Sequence, residues 1–522
     1  MKKSKLFMII SLSVLVITII VSGTYALYKA QLSKNIGVNT TTHGLAYYIN
    51  YVKGTDITAA TLNPSTSYEG GASSDIEFWK KDDSYDIYGK IELTVNTIGT
   101  NLSNSPALKY AVVNNGNVLK EGSLKGTTSG SKVTILKNLY LEQTKQIYTV
   151  YVWLDNSEEL GNISNESLSI SVDCTASLQK EPTAADTIIS LYTSAAKVTA
   201  TNNSITYNTA PSVSLMNDRL GGTTTDLDGG NIRYYGANPN NYIYFNCSDY
   251  SNQTSSTCET WRIIGVFNGK LKLIRGSQIG TYSWDNKNTS TGEESNSGKN
   301  DWTTARLMKL LNPVDYYIND NNDKDSEGNY LGYSLYYNST SGKCYSGKNN
   351  ATVDCDFTST GIKNDETRNM IAETTYNLGG WNTFTVYPNE IYEYERGTTV
   401  YTGRLPTWTG KIALAYPSDY GYAADLNQCV NKQLNKYNDS TCTSNNWMKS
   451  IITNNGSNHG WLLTPHSNYS YIAWGVILSG IMGGNRAYYS SYGAAPVLYL
   501  SSELGIESGG DGSSSNPYKL SA

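Results

Sequence analysis

The sequence predicts two β-rich domains, an N-terminal all-β sandwich and a C-terminal domain of irregular α+β structure. The chain has 522 residues, which is more than one hydrophobic core usually accommodates. Residues 27–177 show strand alternation and turn signals without helical periodicity, whereas residues 231–522 combine strand patterns with helical ones. Residues 178–230 between them predict a short helix followed by a linker rich in Asn, Thr and Gly.

The first 26 residues predict export. Three lysines in the first five residues precede an apolar run over residues 6–21, and Thr24 and Ala26 occupy the small-residue positions of a signal-peptide cleavage site. Residues 6–28 together are also just long enough to span a bilayer, so an uncleaved membrane anchor is the alternative. We therefore expect an extracellular or cell-surface protein, which contacts the membrane only through this segment if the segment is not cleaved.

Composition excludes some partners and suggests others. The net charge of −5 offers no basic field to attract nucleic acid. Tyrosine and tryptophan are abundant, with 43 Tyr and 10 Trp against 6 Phe, and both combine an apolar face with a polar group. This usage is typical of an extracellular β-protein, or of a surface that stacks on sugars or peptides.

The N-terminal region shows several strand patterns. Residues 45–52, 88–98 and 168–174 predict strands, and residues 147–154 predict a strand that is apolar on both faces, as inside a sandwich. The Asn115-Gly116 pair predicts a hairpin, because Asn and Gly accept the positive φ of a type I′ turn.

This region resembles the TasA/camelysin-like family of Gram-positive surface and biofilm-matrix proteins. The resemblance rests on the export signal ending at residues 23–26, on the strand that follows, and on the late strand at residues 148–155. It covers about residues 1–177. It implies a jelly-roll-like sandwich, self-assembly through exposed strand edges, and a place on the surface of a Gram-positive-type bacterium.

The C-terminal region begins with strand patterns and continues with two helical ones. Residues 242–246, 261–267 and 271–275 predict three neighbouring strands. Residues 301–313 predict an amphipathic helix that ends at a proline, and residues 365–378 predict a second helix.

Six of the seven cysteines form pairs that are close in sequence. In an exported chain such pairs predict disulfides, here Cys247–Cys258, Cys344–Cys355 and Cys429–Cys442, although six cysteines allow 15 connectivities. Zinc is disfavoured, because no Cys-x-x-Cys occurs and the chain has only three histidines. Cys174 continues the alternation of its strand, so we expect a buried, inert thiol.

The C-terminal region resembles a domain of unknown function that is common in exported proteins of gut Firmicutes and Mollicutes-like bacteria. The segments that carry the resemblance are residues 261–265, 302–313, 412–421, 461–465 and 496–500. Through this family the region is distantly similar to formylglycine-enzyme-like and C-type-lectin-like folds, which implies a lectin-like module with long recognition loops. Relatives usually place Arg before the proline at position 496, and this chain has Ala495 there.

The aromatic stretch between residues 460 and 500 is the strongest candidate for a binding site. Two core strands are predicted at its ends, and the middle is rich in Tyr, Asn, Ser and Gly, which is typical of recognition loops. An alternative is that the rings only pack the loops together. The candidate ligand-binding residues are Tyr469, Tyr471, Trp474, Arg486, Tyr488 and Tyr489.

The sequence offers little evidence for catalysis. No Gly-x-Ser-x-Gly motif occurs, and no Ser or Cys near His459 or His466 stands in a recognisable nucleophile motif. Calcium is the only cofactor suggested, by Asp323, Asp325 and Glu327 in an acidic loop. That loop lacks the closing glutamate of a calcium site, so a solvated acidic loop is the alternative.

These observations together predict a secreted or cell-surface adhesin or matrix-type protein, not an enzyme, that recognises an extracellular glycan or protein. The alternative is an exported enzyme that acts on glycans or peptidoglycan.

Overall fold

The computed structural model describes most of the chain beyond residue 47. The described residues are 30–31, 48–58, 62, 64–158, 160, 163, 166–220, 230–285, 297–317, 332–344, 353–454 and 459–521. Their contacts divide the chain into two compact units, Met1–Glu181 and Pro182–Ala522. The predicted signal peptide lies outside the described residues. Within them, no helix is both long enough and apolar enough to cross a membrane.

The first unit is built almost entirely of strands. They are β1 Ala30–Gln31, β2 Ile49–Val52, β3 Ile57–Thr58, β4 Pro64–Ser65, β5 Ala72–Lys80, β6 Tyr88–Ile98, β7 Leu108–Asn114, β8 Asn117–Ser123, β9 Lys132–Tyr140, β10 Ile147–Asp155 and β11 Leu168–Ser177, with the short helix α1 Thr100–Asn104. One sheet has the order β1-β11-β6-β9, with β3 on β11, and the other has the order β2-β5-β10-β7-β8, with β4 on β10.

Alternate side chains of both sheets meet in one core. Phe78 of β5, Leu93 of β6 and Val150 of β10 are completely buried there, because successive side chains of a strand point to opposite faces. The predicted hairpin is present, since β7 pairs with β8 around Asn115 and Gly116, whose φ angles of 50° and 77° are both positive.

The second unit contains the remaining elements. The helices are α2 Ala184–Ser194, α3 Arg306–Leu311, α4 Asp365–Met370, α5 Pro388–Arg396, α6 Pro417–Tyr422, α7 Ser440–Ser444 and α8 Lys449–Ile452. The strands are β12 Val198–Asn202, β13 Ile205–Ala210, β14 Leu215–Asn217, β15 Ile232–Tyr234, β16 Tyr242–Phe245, β17 Glu259–Phe267, β18 Lys270–Arg275, β19 Ser341–Cys344, β20 Val353–Asp356, β21 Thr374–Asn377, β22 Thr407–Gly410, β23 Ile412–Ala413, β24 His459–Pro465, β25 Ile472–Val476, β26 Met482–Arg486, β27 Tyr492–Gly493, β28 Val497–Tyr499, β29 Gly505–Ile506 and β30 Leu520–Ser521. Single turns of 3₁₀ helix add short connections in both units, at Tyr68–Gly70, Pro211–Val213, Tyr250–Asn252, Trp302–Thr304, Val314–Tyr316 and Leu434–Lys436.

A nine-stranded sheet forms the centre of this unit, with the order β12-β13-β14-β15-β17-β18-β28-β23 and β16 on β17. Strands β12 to β14 lie in the segment that the sequence predicts to be a linker, so that prediction is wrong for residues 198–217. Their Thr and Asn side chains are compatible with a strand once β15 supplies a partner. Helix α2 begins at the capping box of Thr183 and Asp186 and buries Ile188 and Tyr192 in the core of this unit.

The two predicted helices are shorter than expected. Residues 301–313 form a single 3₁₀ turn followed by α3, and every residue of α3 is buried, so the helix has no solvent-facing side. Residues 365–378 form α4 only as far as Met370, and β21 then pairs with β22. The β-branched Thr374 and Thr375 favour the strand.

The three predicted disulfides, Cys247–Cys258, Cys344–Cys355 and Cys429–Cys442, are all formed. Cys174 is a free, buried cysteine, as predicted, and burial raises the pKa of its thiol well above the ordinary value. A thiol in this state is protonated at neutral pH and therefore unreactive.

Candidate ligand-binding surface

A small sheet with the order β26-β25-β24-β27 carries the candidate residues. The loop between β24 and β25 contains Tyr469 and Tyr471, and the segment after β26 contains Tyr488 and Tyr489. The backbone N–H of Ala487 donates to the carbonyl of Tyr471 at 2.8 Å, which joins the two segments. Tyr471 and Ala487, which are 16 positions apart in sequence, therefore lie side by side.

We call the outward side chains of this region the aromatic surface, which is defined by the exposed Tyr469, Arg486 and Tyr489 and the half-buried Tyr471. Tyr469 is 49% exposed and Tyr489 is 36% exposed. The ring centroids of Tyr469 and Tyr471 are 5.9 Å apart. Arg486 is exposed and lies within electrostatic reach of Tyr471 and Tyr489.

Tyr488 supports this surface from below. Its side chain is 5% exposed, and its ring centroid is 4.8 Å from that of Tyr489. A hydrogen bond to Tyr488 is the main cause of the raised pKa of Arg486. Tyr488 therefore orients both the neighbouring ring and the guanidinium, and it offers little surface of its own to a ligand.

Trp474 does not belong to the exposed surface. Its side chain is completely buried, with its ring centroid 4.6 Å from that of Phe384 in an edge-to-face arrangement. Trp474 pairs with Gly484 across β25 and β26. A Cβ at Gly484 would lie 2.7 Å from the Phe384 ring, so only glycine leaves room for this packing. In this arrangement Trp474 cannot contact a ligand, which corrects its assignment as a ligand-binding residue.

Asn300, which sequence reasoning missed, fixes the loop of Tyr469. This side chain is 1% exposed, and the two N–H groups of its amide nitrogen are shared among the carbonyls of His466 at 3.0 Å, Tyr469 at 2.7 Å and Ile472 at 2.9 Å. Its backbone N–H also donates to the carbonyl of Ser470 at 2.8 Å. A loop held by these contacts loses little further freedom when it binds a ligand.

The two histidines near this sheet are structural. Nδ1 of His459 accepts a hydrogen bond from the backbone of Leu478, and Nδ1 of His466 accepts one from the backbone of Asn468. Burial lowers the pKa of His466, so its ring is neutral at neutral pH. In both rings the Nδ1 lone pair is therefore already engaged by a backbone N–H.

A buried ionic network lies elsewhere in the second unit. Arg233 pairs with Asp218 at 2.5 Å and with Asp419 at 3.1 Å, and Lys272 pairs with the same Asp419. These four side chains are at most 1% exposed. Burial lowers the pKa of Lys272 to about 8 and raises that of the nearby Glu395 to about 7. The network joins β15 and β18 of the large sheet to α6. Because its side chains are enclosed by protein, a substrate has no access to them in this structure.

No metal site is present in the part of the chain that the structure describes, where no group of three or more His, Cys, Asp or Glu side chains could hold an ion. Asp323, Asp325 and Glu327 lie outside the described residues, so the suggestion of calcium there stays a prediction.

Comparisons with known proteins give no relative on which to base a function. No family model and no curated protein matches the sequence. Among solved structures, one match is to a chain of a quasi-atomic model of the PBCV-1 virus capsid, at 12% identity over 42% of this chain and 59% of that chain. Its TM-score is 0.12, which is too low to support an argument from fold.

Proposed function

We propose that this chain is an exported recognition protein of the bacterial surface and that the aromatic surface of its second unit binds a glycan in a lectin-like manner. The observation that carries the proposal is the grouping of three tyrosines and one arginine on loops that buried hydrogen bonds hold in place. Aromatic faces stack on the apolar faces of sugar rings, and a guanidinium supplies several hydrogen-bond donors for hydroxyl groups.

Binding is favoured over catalysis by the chemistry of the same surface. Tyr469, Tyr471, Arg486 and Tyr489 include no carboxylate that could act as an acid or base on a glycosidic bond. The strongly shifted pKa values of Lys272 and Glu395 belong to the enclosed network. These four side chains supply stacking faces and hydrogen-bond donors, which suit the holding of a ligand.

Export and surface display agree with the covalent structure. Three disulfides form readily in an oxidising compartment and are rare in reducing ones. For the first unit we propose a jelly-roll-like sandwich that joins copies of the chain through its strand edges. The exposed side chains of Val118 and Leu119 on the edge strand β8 support this role.

The test is a binding array of glycans and extracellular proteins probed with the full chain. We expect saturable binding to a subset of glycans, and recovered ligand of unchanged mass. Shortened glycans after incubation would contradict the proposal and favour the exported enzyme instead. Binding confined to proteins would contradict the choice of ligand.

A further inference from the structure

A cavity of about 440 Å³ opens in the second unit, away from the aromatic surface. It lies where β16, β17 and β18 meet α8, and its volume is within the range of small-molecule sites. The lining residues that matter for its chemistry are Tyr242, Glu259, Arg262, Arg275, Ser277 and Ser450.

Arg262 is the unusual member of this group, because it is 7% exposed and its hydrogen-bond acceptors are neutral oxygens. Its Nε donates to the side-chain oxygen of Asn241, and one terminal nitrogen donates to the carbonyl of Pro239 at 3.3 Å. The guanidinium lies 3.7 Å from the ring centroid of Tyr242 and 4.9 Å from that of Trp447. Among the residues that the structure describes, no carboxylate lies within ion-pair distance of it.

Other buried cations of the same unit do pair with carboxylates. Arg233 and Lys272 share Asp419, and Arg306 lies 3.5 Å from Asp285. A buried guanidinium that has only neutral partners is costly, because aromatic faces replace only part of the lost hydration. Burial lowers the pKa of Arg262 to about 10, so the group is still charged at neutral pH.

The one carboxylate of the cavity is already neutralised. Glu259 accepts two hydrogen bonds from Arg275, both at 3.0 Å, and a third from the indole of Trp261 at 3.0 Å. The lining therefore carries a net charge of +1, which comes from Arg262. An anion in the cavity would meet this cation without displacing an existing ion pair.

We propose that this cavity binds a sugar that carries a carboxylate or phosphate group, with Arg262 as the residue that holds the charged group. A guanidinium presents parallel N–H donors to either oxyanion. The hydroxyl groups of Ser277 and Ser450 and the ring of Tyr242 suit the rest of a sugar. This site is separate from the aromatic surface and needs none of its residues.

The test is ligand-observed NMR on the full chain with three probes: glucuronate, glucose 6-phosphate and glucose. At about 10 mM probe, a Kd of about 1 mM gives nearly full occupancy. We expect saturation transfer from the protein to at least one of the two charged sugars and none to glucose. Arg262→Gln should reduce the signal at least about fivefold, and Arg219→Gln, which removes an exposed arginine of the same unit, should not.

A second variant keeps the test decisive if Arg262→Gln does not fold. Ser450 is exposed on the wall of the cavity, so Ser450→Trp fills the cavity while Arg262 keeps its contacts. We expect this variant to lose the signal as well. Equal signals from glucose and the charged sugars, no signal from either charged sugar, or an undiminished signal in Ser450→Trp would each overturn the proposal.

Discussion

At the scale of single residues, the sheet that carries the aromatic surface separates side chains that meet solvent from side chains that hold the fold together. Trp474 is completely buried against Phe384, whereas Tyr489, in the segment that follows the neighbouring strand β26, is 36% exposed. Both stand in the same Gly- and Tyr-rich stretch, so composition does not distinguish them.

This separation predicts different costs of truncation. Trp474→Ala should lower the free energy of unfolding by about 3–5 kcal/mol, because it leaves a large cavity in the core. Tyr489→Ala should change it by less than about 0.5 kcal/mol, as is usual at the surface. Chemical denaturation of both variants measures the difference. Similar losses in the two variants would show that Tyr489 also belongs to the core.

The buried Glu395 predicts a pH dependence. Its folded pKa is about 7 against an ordinary value of 4.5, because burial disfavours the carboxylate. The folded protein thus keeps this proton to a higher pH than the unfolded chain does. The free energy of unfolding should therefore fall by about 3 kcal/mol as pH rises from about 4.5 to about 7, and stay level above that.

The variant Glu395→Gln isolates this effect. Relative to the native chain it should gain stability across the same pH window, measured by thermal unfolding at a series of pH values. Glu503→Gln changes an exposed glutamate and is the matched control. An identical pH profile for Glu395→Gln and the native chain would mean that the carboxyl titrates at its ordinary pKa.

At the scale of secondary-structure elements, the second unit depends on α2 and on β12 to β14. Helix α2 buries Ile188 and Tyr192 in the core, and β14 pairs with β15 in the large sheet. A fragment of residues 182–522 should therefore unfold cooperatively on heating, whereas a fragment of residues 231–522 should not. Equal cooperative transitions for both fragments would show that the first three strands are dispensable.

The edge strand β8 carries the prediction about self-assembly. Val118 and Leu119 are 43% and 42% exposed on this strand, and a charged side chain on an edge discourages pairing with another chain. The double variant Val118→Lys and Leu119→Lys should reduce particle size in sedimentation experiments. Val198→Lys, which changes a valine of the second unit that is 54% exposed, is the control. Unchanged assembly in the double variant would exclude this edge.

Local signals in the sequence predicted local structure well. The Asn115-Gly116 hairpin and the three disulfides depend on residues that are near each other in sequence, and all are present. Strands β12 to β14 were missed because their Asn- and Thr-rich composition is typical of loops, and only pairing with β15 makes them a sheet. Whether these residues form a strand depends on the presence of a neighbouring strand to pair with, and composition does not reveal that strand.

The candidate site was predictable only in part for the same reason. The two loops with tyrosines are evident in the sequence, but the burial of Trp474 depends on Phe384, which is 90 residues away. Asn300 holds the loop from more than 160 residues away, and a single asparagine carries no recognisable pattern. Contacts between distant segments are set by the fold and not by local composition.

At the scale of the whole molecule, the chain contains two compact units of different architecture. The first consists of two sheets around one core, and the second contains a nine-stranded sheet and the smaller sheet that carries the aromatic surface. Assembly is proposed for the first unit and ligand recognition for the second. The central claim is that the aromatic surface binds a glycan.

The most direct test of this claim compares variants of the full chain on the glycan that binds best in the array. Tyr489→Ala and Arg486→Gln should each weaken binding at least about tenfold, which is about 1.4 kcal/mol, with thermal stability unchanged. Tyr85→Ala, which removes a tyrosine of the first unit that is 44% exposed, should bind like the native chain. Native-like affinity of both Tyr489→Ala and Arg486→Gln for that glycan would show that the aromatic surface is not where the glycan binds.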